Sequence, residues 1–218
     1  MAEVSVSILT VDKENAMQVF YNLETSKINY YHIDVMDGKF VKKNTVNLMK
    51  DYSLSISHIS NIGLDVHLMV EDVEKFLDDY IVLNPNIITF HIEATKTYEK
   101  TMKIIRFIKE NNIKVGIAIN PDTEIDEIKE YLPFIHMVLI MTVVPGKGGQ
   151  SLIPDTIEKI KKIREYIEKE NLDIDIEVDG GINSETANSV KDAGANILVS
   201  GSYIINSENY SEAVSKLK

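Results

Sequence analysis

Histidine and aspartate side chains occur within or directly after several short apolar runs of the sequence. His32 and Asp34 lie two residues apart in the run YYHIDV, and His67 lies within LDVHLMV. Asp179 directly follows the run IDIEV. Because residues two apart in a strand point to the same side, His32 and Asp34 can share one ligand. Two imidazoles and two carboxylates that converge from three strands are able to bind a divalent metal ion.

Each of these residues also has an ordinary structural explanation. A single histidine in a strand is more often a hydrogen-bonded core residue, and an aspartate at a strand end often forms a turn or caps a helix. Burying all four unpaired would be costly, however, and a divalent metal removes that cost. The chain has no cysteine, so the ligands are nitrogen and oxygen atoms, which suit zinc, iron(II), cobalt or manganese without selecting one of them.

Glycine-bearing segments follow three consecutive apolar runs in the last third of the sequence. They are PGKGGQ at 145–150, Gly180-Gly181 and Gly201-Ser202. Glycines allow a ligand to approach the backbone closely, exposed N–H groups act as donors, and the start of a short helix adds favourable dipole charge. Turn formation explains one such pair, but three on consecutive strand ends favour a phosphate site.

The elements that must position these residues are short β-branched runs separated by amphipathic segments rich in Glu, Lys and Leu. This alternation is typical of βα units and predicts eight strand–helix pairs. The predicted strands span 4–9, 30–35, 64–70, 86–92, 114–119, 137–143, 174–178 and 196–201.

No linker-like stretch interrupts the alternation, so we predict one domain over residues 1–218. Continuously apolar strands indicate a parallel sheet covered on both faces, and eight units at this length suit a single-domain (β/α)₈ barrel. A doubly wound open sheet is the alternative, but no GxGxxG follows the first strand. In a barrel, active sites lie at the carboxyl ends of the strands, where the residues above are found.

Composition excludes several classes of function. Lys and Arg number 23 against 34 Asp and Glu, and the net charge of −11 disfavours nucleic acid and anionic membranes as partners. The absence of cysteine excludes disulfides, a thiol nucleophile and iron–sulfur clusters. The first residues lack a basic segment followed by an apolar one, and no apolar run approaches the roughly 18 residues of a membrane span. We therefore expect a cytoplasmic protein.

Motifs along nearly the whole chain resemble one known family. SIL, HIDVMDGKFV, DVHLMV, FHIEA, NPDT, PGKGGQ, EVDGGIN and VSGSYI occur in this order and resemble the ribulose-phosphate 3-epimerase family. The resemblance implies an isomerase of carbohydrate metabolism that interconverts D-ribulose 5-phosphate and D-xylulose 5-phosphate in the pentose phosphate pathway. It also implies a homo-oligomer and one bound divalent metal ion, for which we place zinc before iron(II), manganese and cobalt.

The resemblance further implies roles for individual residues. Asp34 and Asp179 are the expected acid/base pair, and the expected metal ligands are His32, Asp34, His67 and Asp179. The expected substrate contacts are Ser7, His67, Gly146, Gly148, Gly149, Gly180, Gly181, Gly201 and Ser202, to which we add Lys147 on the basis of its charge. The expected active-site wall consists of Met36, Met69 and Met141, for which filling of the core is an equally good explanation. His58, His91 and His136 are assigned no metal.

The chemistry of the residues agrees with this assignment. Inverting a carbon next to a ketone requires removal of its proton from one face and return of a proton to the other, for which two opposed carboxylates are suited. A metal ion bound to the ketone oxygen stabilises the developing charge, so the expected intermediate is a metal-bound enediolate.

The sequence departs from the family pattern in two places, and two alternative functions are compatible with it. Lys147 stands where the family commonly has an aromatic residue, and we favour pairing with the phosphate over a solvent-facing position. The segment after Phe40 also differs and contains Lys42 and Lys43. The alternatives are a D-allulose-6-phosphate 3-epimerase and a sugar-phosphate-binding barrel without catalysis.

Overall fold

A computed structural model describes residues 2–218, which form a closed, all-parallel barrel with its strands in chain order. The predicted (β/α)₈ architecture is confirmed, and the predicted strand ends differ from the observed ones by at most two residues. The strands are β1 (Glu3–Ser7), β2 (Tyr30–Met36), β3 (Gly63–Met69), β4 (Ile87–His91), β5 (Lys114–Ile119), β6 (Met137–Met141), β7 (Asp175–Asp179) and β8 (Ile197–Ser200).

Six helices lie in the connections between the strands, and two follow β8. They are α1 (Ala16–Glu24), α2 (Val46–Ile59), α3 (Glu74–Ile81), α4 (Tyr98–Glu110), α5 (Asp155–Lys169), α6 (Ala187–Asp192), α7 (Ser202–Ile205) and α8 (Tyr210–Leu217). None of the helices within residues 2–218 is both long enough and apolar enough to cross a membrane.

The prediction of a helix after every strand is wrong for the connection between β5 and β6. This connection contains two 3₁₀ turns, Ile125–Glu127 and Leu132–Phe134, instead of an α-helix. Pro133 lies in the second turn. Because proline has no amide hydrogen, it interrupts the hydrogen bonds that would extend a helix towards β6.

The main hydrophobic core lies between the outer face of the barrel and the helices. Phe20 of α1 and Tyr31 of β2 are fully buried there, with their ring centroids 6.1 Å apart. The Tyr31 hydroxyl donates a hydrogen bond of 3.0 Å to the Phe20 carbonyl. Such contacts join each helix to the strand it covers and hold the barrel closed.

The barrel interior has an apolar layer near the amino ends of the strands. Ile87, Met137 and Ile197 form this layer, and Tyr30 packs against it. The four residues come from β2, β4, β6 and β8, which is the alternate-strand layering expected in this fold. Interior positions closer to the carboxyl ends are mostly polar on β1, β2, β3 and β7. The apolar layer therefore lies at the opposite end of the barrel axis from these polar side chains.

Truncating the apolar layer should destabilise the fold. Met137 is 1% exposed, and Met137→Ala leaves a cavity, for which we expect a loss of about 2–5 kcal/mol in the free energy of unfolding. The matched control is Met17→Ala on α1, where the side chain is 43% exposed and the expected change is within about 0.5 kcal/mol. Urea denaturation followed by circular dichroism measures both, and equal midpoints would contradict the layer's role.

Candidate active site

The four predicted metal ligands converge at the carboxyl ends of β2, β3 and β7. The strand register places Asp34 beside His67, and one ligand atom from each of the four residues lies within 4.8 Å of the others. Asp34 Oδ1 is 3.5 Å from His32 Nε2 and 3.4 Å from His67 Nδ1. Asp179 Oδ2 is 3.9 Å and 3.8 Å from the same two nitrogens. Closure of the barrel therefore brings the end of β7 close to the ends of β2 and β3.

The His32 ring is oriented by a carboxylate on the neighbouring strand. His32 Nδ1 lies 2.6 Å from Asp65 Oδ2, and the Ser5 hydroxyl donates a 2.8 Å hydrogen bond to the same oxygen. When Nδ1 donates its hydrogen to Asp65, Nε2 of a neutral ring keeps a lone pair. In the described part of the chain, this buried Nε2 has no hydrogen-bond partner, and it faces Asp34 and Asp179.

The His67 ring presents a second lone-pair position to the same cluster. Its Nε2 atom lies 2.9 Å from Nε2 of His91, while its buried Nδ1 has no hydrogen-bond partner within residues 2–218. Two unpartnered imidazole nitrogens and two carboxylates thus face one another in a fully or mostly buried space. When both rings are neutral, a divalent metal ion would satisfy all four groups, so the residues fit such an ion with nitrogen and oxygen ligands.

The two carboxylates of the cluster differ in proton affinity. Burial raises the pKa of Asp34, but the His32 and His67 rings outweigh this effect and hold it well below its usual range. Burial, with the Asp34 carboxylate adding to it, raises the pKa of Asp179 to about 7. Burial lowers the pKa of His32, yet the Asp65 and Asp34 carboxylates raise it well above its ordinary value. Two carboxyl groups with separated pKa values are suited to act as proton acceptor and donor.

The layer beneath the cluster contains two further buried carboxyl groups, Asp65 and Glu177. Burial and the Asp65 carboxylate raise the pKa of Glu177 well above its usual range. Burial raises the pKa of Asp65, but His32 outweighs this effect and lowers it. A protonated Glu177 beside an ionised Asp65 keeps the number of buried negative charges at the barrel centre low.

A third histidine and a partly buried glutamate lie behind His67. Burial lowers the pKa of His91 to about 4, so its ring is neutral near pH 7. Burial raises the pKa of Glu93, but His91, the Thr123 hydroxyl and the Asn120 amide outweigh it and lower the pKa to about 2. Glu93 is therefore an ionised carboxylate.

A cavity of about 460 Å³ opens above the carboxylates. Ser7, Asp34 and Asp179 line it, and the Ser7 hydroxyl donates a 2.6 Å hydrogen bond to Asp34 Oδ2. His32 and His67 are fully buried and are not among the lining residues. The predicted direct contact of His67 with substrate therefore stays a prediction, whereas its place in the ligand cluster is observed.

The predicted glycine segments also line this cavity. They contribute Gly146, Lys147, Gly148, Gly149, Gly180, Gly181, Gly201 and Ser202. Gly181 has φ +69°, and a Cβ there would lie 2.3 Å from the Leu152 nitrogen, so this turn requires glycine. The Gln150 amide donates 2.7 Å hydrogen bonds to the carbonyls of Val144 and Lys147. These bonds lie within the loop and fix its fold.

The Lys147 side chain is exposed. Lys147 lines both this cavity and a neighbouring one, which Lys42 and Lys43 also line. The two departures from the family pattern therefore lie near each other at the mouth of the site.

The three predicted wall methionines lie next to the carboxylates. Met36 pairs with Met69 in the register of β2 and β3, and Met141 pairs with Asp179 in that of β6 and β7. All three line the cavity and are at most 2% exposed. An apolar wall beside the carboxylates reduces the access of water to them.

Sequence reasoning missed Asp65, His91 and Glu93 as parts of this site. Asp65 lies two residues before His67, so strand alternation alone could have placed it on the interior face. Glu93 gave no such signal, because it follows β4 in a 3₁₀ turn and its partners come from a distant loop.

Comparison with known proteins agrees with the fold and the motifs. The model of the Ribulose-phosphate 3 epimerase family matches residues 3–205. A ribulose-phosphate 3-epimerase of Synechocystis is 36% identical over 99% of this chain and 92% of the relative. One from Bacillus subtilis is 35% identical over 100% of this chain and 99% of the relative.

A solved structure with low sequence identity shares the fold alone. The 3-hexulose-6-phosphate synthase of Salmonella typhimurium superposes with a TM-score of 0.70 at 17% identity, covering 99% of this chain and 96% of that one. Because the family match and the full-length relatives agree, this chain belongs to the ribulose-phosphate 3-epimerase family and is an isomerase of the class that epimerises carbohydrates.

Proposed function

We propose that this protein is a metal-dependent epimerase that inverts carbon 3 of D-ribulose 5-phosphate to give D-xylulose 5-phosphate. The observation that carries the proposal is the pair of carboxylates, Asp34 and Asp179, on one cation-binding cluster at the floor of a glycine-lined cavity. The names of the full-length relatives support the choice of substrate. The cavity volume of about 460 Å³ lies in the range of small-ligand sites.

His32, Asp34, His67 and Asp179 are the residues that would hold the metal ion, with zinc as our first choice. When bound, a divalent ion acts as a Lewis acid that stabilises negative charge on the ketone oxygen of the substrate. The two imidazoles contribute lone pairs without adding negative charge, so the net charge of the site stays favourable for an anionic substrate.

Asp34 and Asp179 are the groups that move protons. One group, as the carboxylate, removes the proton of carbon 3 from one face, and the other, which starts as the protonated carboxylic acid, gives its proton to the opposite face. The Ser7 hydroxyl, which donates to Asp34 Oδ2, restricts rotation of that carboxylate. Met36, Met69 and Met141 exclude water from the reacting carbon.

The backbone of the three glycine segments holds the phosphate group of the substrate. Side chains are absent or small at most of these positions, so amide groups can approach an anion closely. Phosphate binding on the β6–β8 side fixes the distance to the carboxylates, and this positioning supplies part of the rate enhancement.

Removal of the metal should abolish turnover. Metal-stripped protein should not epimerise ribulose 5-phosphate, and zinc, manganese or iron(II) should restore turnover, with allulose 6-phosphate processed more slowly. A coupled assay for xylulose 5-phosphate and its hexose counterpart measures both reactions. A preference for the hexose would change the substrate but keep the chemistry, whereas binding without turnover by folded, metal-loaded protein would indicate a non-catalytic barrel.

Neither carboxylate should suffice alone. Asp34→Asn and Asp179→Asn should each lower kcat by at least about 10²-fold, because proton transfer by a positioned group contributes about 10²–10⁴-fold. The matched control is Asp51→Asn, a carboxylate on α2 that is 59% exposed, for which kcat should be unchanged. Assays at saturating metal, with circular dichroism as a fold check, separate lost chemistry from lost structure. Substantial residual activity in either variant argues against the two-base mechanism.

Lys147 should assist capture of the dianionic substrate. Lys147→Ala should raise KM at low ionic strength, and the difference should shrink as salt screens the charge. Lys161→Ala removes the same charge from an exposed position on α5 and serves as control. A KM for Lys147→Ala that equals the control at every salt concentration would place the side chain outside phosphate binding.

A further inference from the structure

We propose that His91 and Glu93 are positioning residues that fix which nitrogen of His67 carries its hydrogen. The inference rests on the proposed function, since it takes His67 as a metal ligand. Three side chains form the hydrogen-bonded row named here the His67–His91–Glu93 relay. His67 Nε2 lies 2.9 Å from His91 Nε2, and His91 Nδ1 lies 3.1 Å from Glu93 Oε2.

The relay is held rigidly by packing. The rings of His67 and His91 are fully buried and meet edge to edge, with centroids 5.0 Å apart and an angle of 25° between the ring planes. The Phe40 ring packs against His91 at an angle of 46°, with centroids 4.8 Å apart. Neither imidazole can rotate without disturbing its neighbour, so hydrogen placement is the remaining freedom.

Glu93, at the end of the relay farthest from the metal cluster, determines which ring nitrogens carry hydrogens. Glu93 Oε1 accepts hydrogen bonds from the Thr123 hydroxyl and, at 2.8 Å, from the Asn120 amide. An ionised carboxylate has only acceptors, so Glu93 Oε2 requires His91 Nδ1 to be the donor. A neutral His91 then has a lone pair on Nε2 and accepts from Nε2–H of His67. His67 Nδ1 is left as a lone pair, which faces Asp34 Oδ1 at 3.4 Å and Asp179 Oδ2 at 3.8 Å.

Lys159 of α5 fixes the loop that contains Asn120 and Thr123, the two residues that donate to Glu93. Lys159 Nζ donates to the carbonyls of Asn120, Pro121 and Thr123 at 3.0, 2.7 and 2.6 Å. The donors to Glu93 therefore do not depend on the metal cluster for their position. Glu93 therefore determines, through His91, which nitrogen of His67 carries its hydrogen. Asp65 has the same effect on His32 by direct contact.

An isosteric substitution should reverse the relay. In Glu93→Gln, the amide oxygen takes the place facing the two donors, Thr123 and Asn120, and the amide nitrogen faces His91. His91 Nδ1 must then accept, its Nε2 carries the hydrogen, and His67 is forced to place its own hydrogen on Nδ1, where the metal would bind. We expect the affinity for cobalt(II) to fall roughly 10–100-fold, the usual effect of changing an outer partner of a ligating histidine.

The experiment compares Glu93→Gln, Glu93→Ala and the exposed control Glu99→Gln. Cobalt(II) titration measures affinity, and ¹⁵N NMR of labelled histidines identifies the His67 tautomer in the protein. The relay predicts that the Gln variant loses at least as much affinity as the Ala variant and shows Nδ1–H on His67, whereas Glu99→Gln matches the wild type. A merely structural role predicts the reverse order, with Gln close to the wild type.

Two results would overturn the inference, and they are distinguishable. If wild-type protein binds cobalt(II) and Glu93→Gln keeps both its affinity and the wild-type tautomer, the relay is wrong and the proposed function stands. If folded wild-type protein does not bind cobalt(II), zinc, manganese or iron(II), the metal site fails and the relay fails with it.

Discussion

Two carboxylates and two imidazole lone pairs face one another inside the mouth of the barrel, within 4.8 Å, and this repulsive arrangement governs the polar residues around it. Burying such groups without a counter-charge is costly. The surrounding side chains reduce the cost in distinct ways: Ser7 donates to Asp34, Asp65 accepts from His32, and Glu177 stays protonated. The two imidazole nitrogens and the two carboxylates that these neighbours leave facing one another fit a bound divalent cation.

Along the barrel axis, the residues that stabilise the fold lie apart from those with proposed chemical roles. The apolar layer of Ile87, Met137, Ile197 and Tyr30 and the contacts between strands and helices stabilise the fold. The polar layers towards the carboxyl ends contribute little apolar burial and contain the groups with the strongest pKa shifts. A protein arranged in this way tolerates a buried, charged site because the main apolar core forms one continuous cluster.

The fold and the ligand cluster were predictable from the sequence because both depend on local patterns. Alternation within one strand places His32 with Asp34, and the barrel rule places Asp179 at the same end as His67. The turns between β5 and β6 were missed because the amphipathic pattern of that segment resembles a helix, although Pro133 is a signal in the sequence that a helix is interrupted there. Glu93 was missed for a related reason: its donors, Asn120 and Thr123, are about 30 residues away along the chain. The catalytic and substrate-binding roles of the predicted residues stay predictions, although the structure gathers the residues themselves around one cavity.

The strand β7 connects the two halves of the proposed chemistry. Asp179 ends the strand and belongs to the ligand cluster, and Gly180 and Gly181 follow directly in the glycine-lined wall. The Asp179 carbonyl accepts a 2.8 Å hydrogen bond from the Thr142 amide, and the Thr142 hydroxyl donates to the Gly180 carbonyl at 2.6 Å. These bonds tie the turn to β6, so the distance from the carboxylate to the proposed anion-binding backbone is set by rigid elements. In the proposed reaction, a substrate anchored by its phosphate would be held with one fixed carbon atom between the two carboxylates, which is the geometry that inversion at a single centre requires.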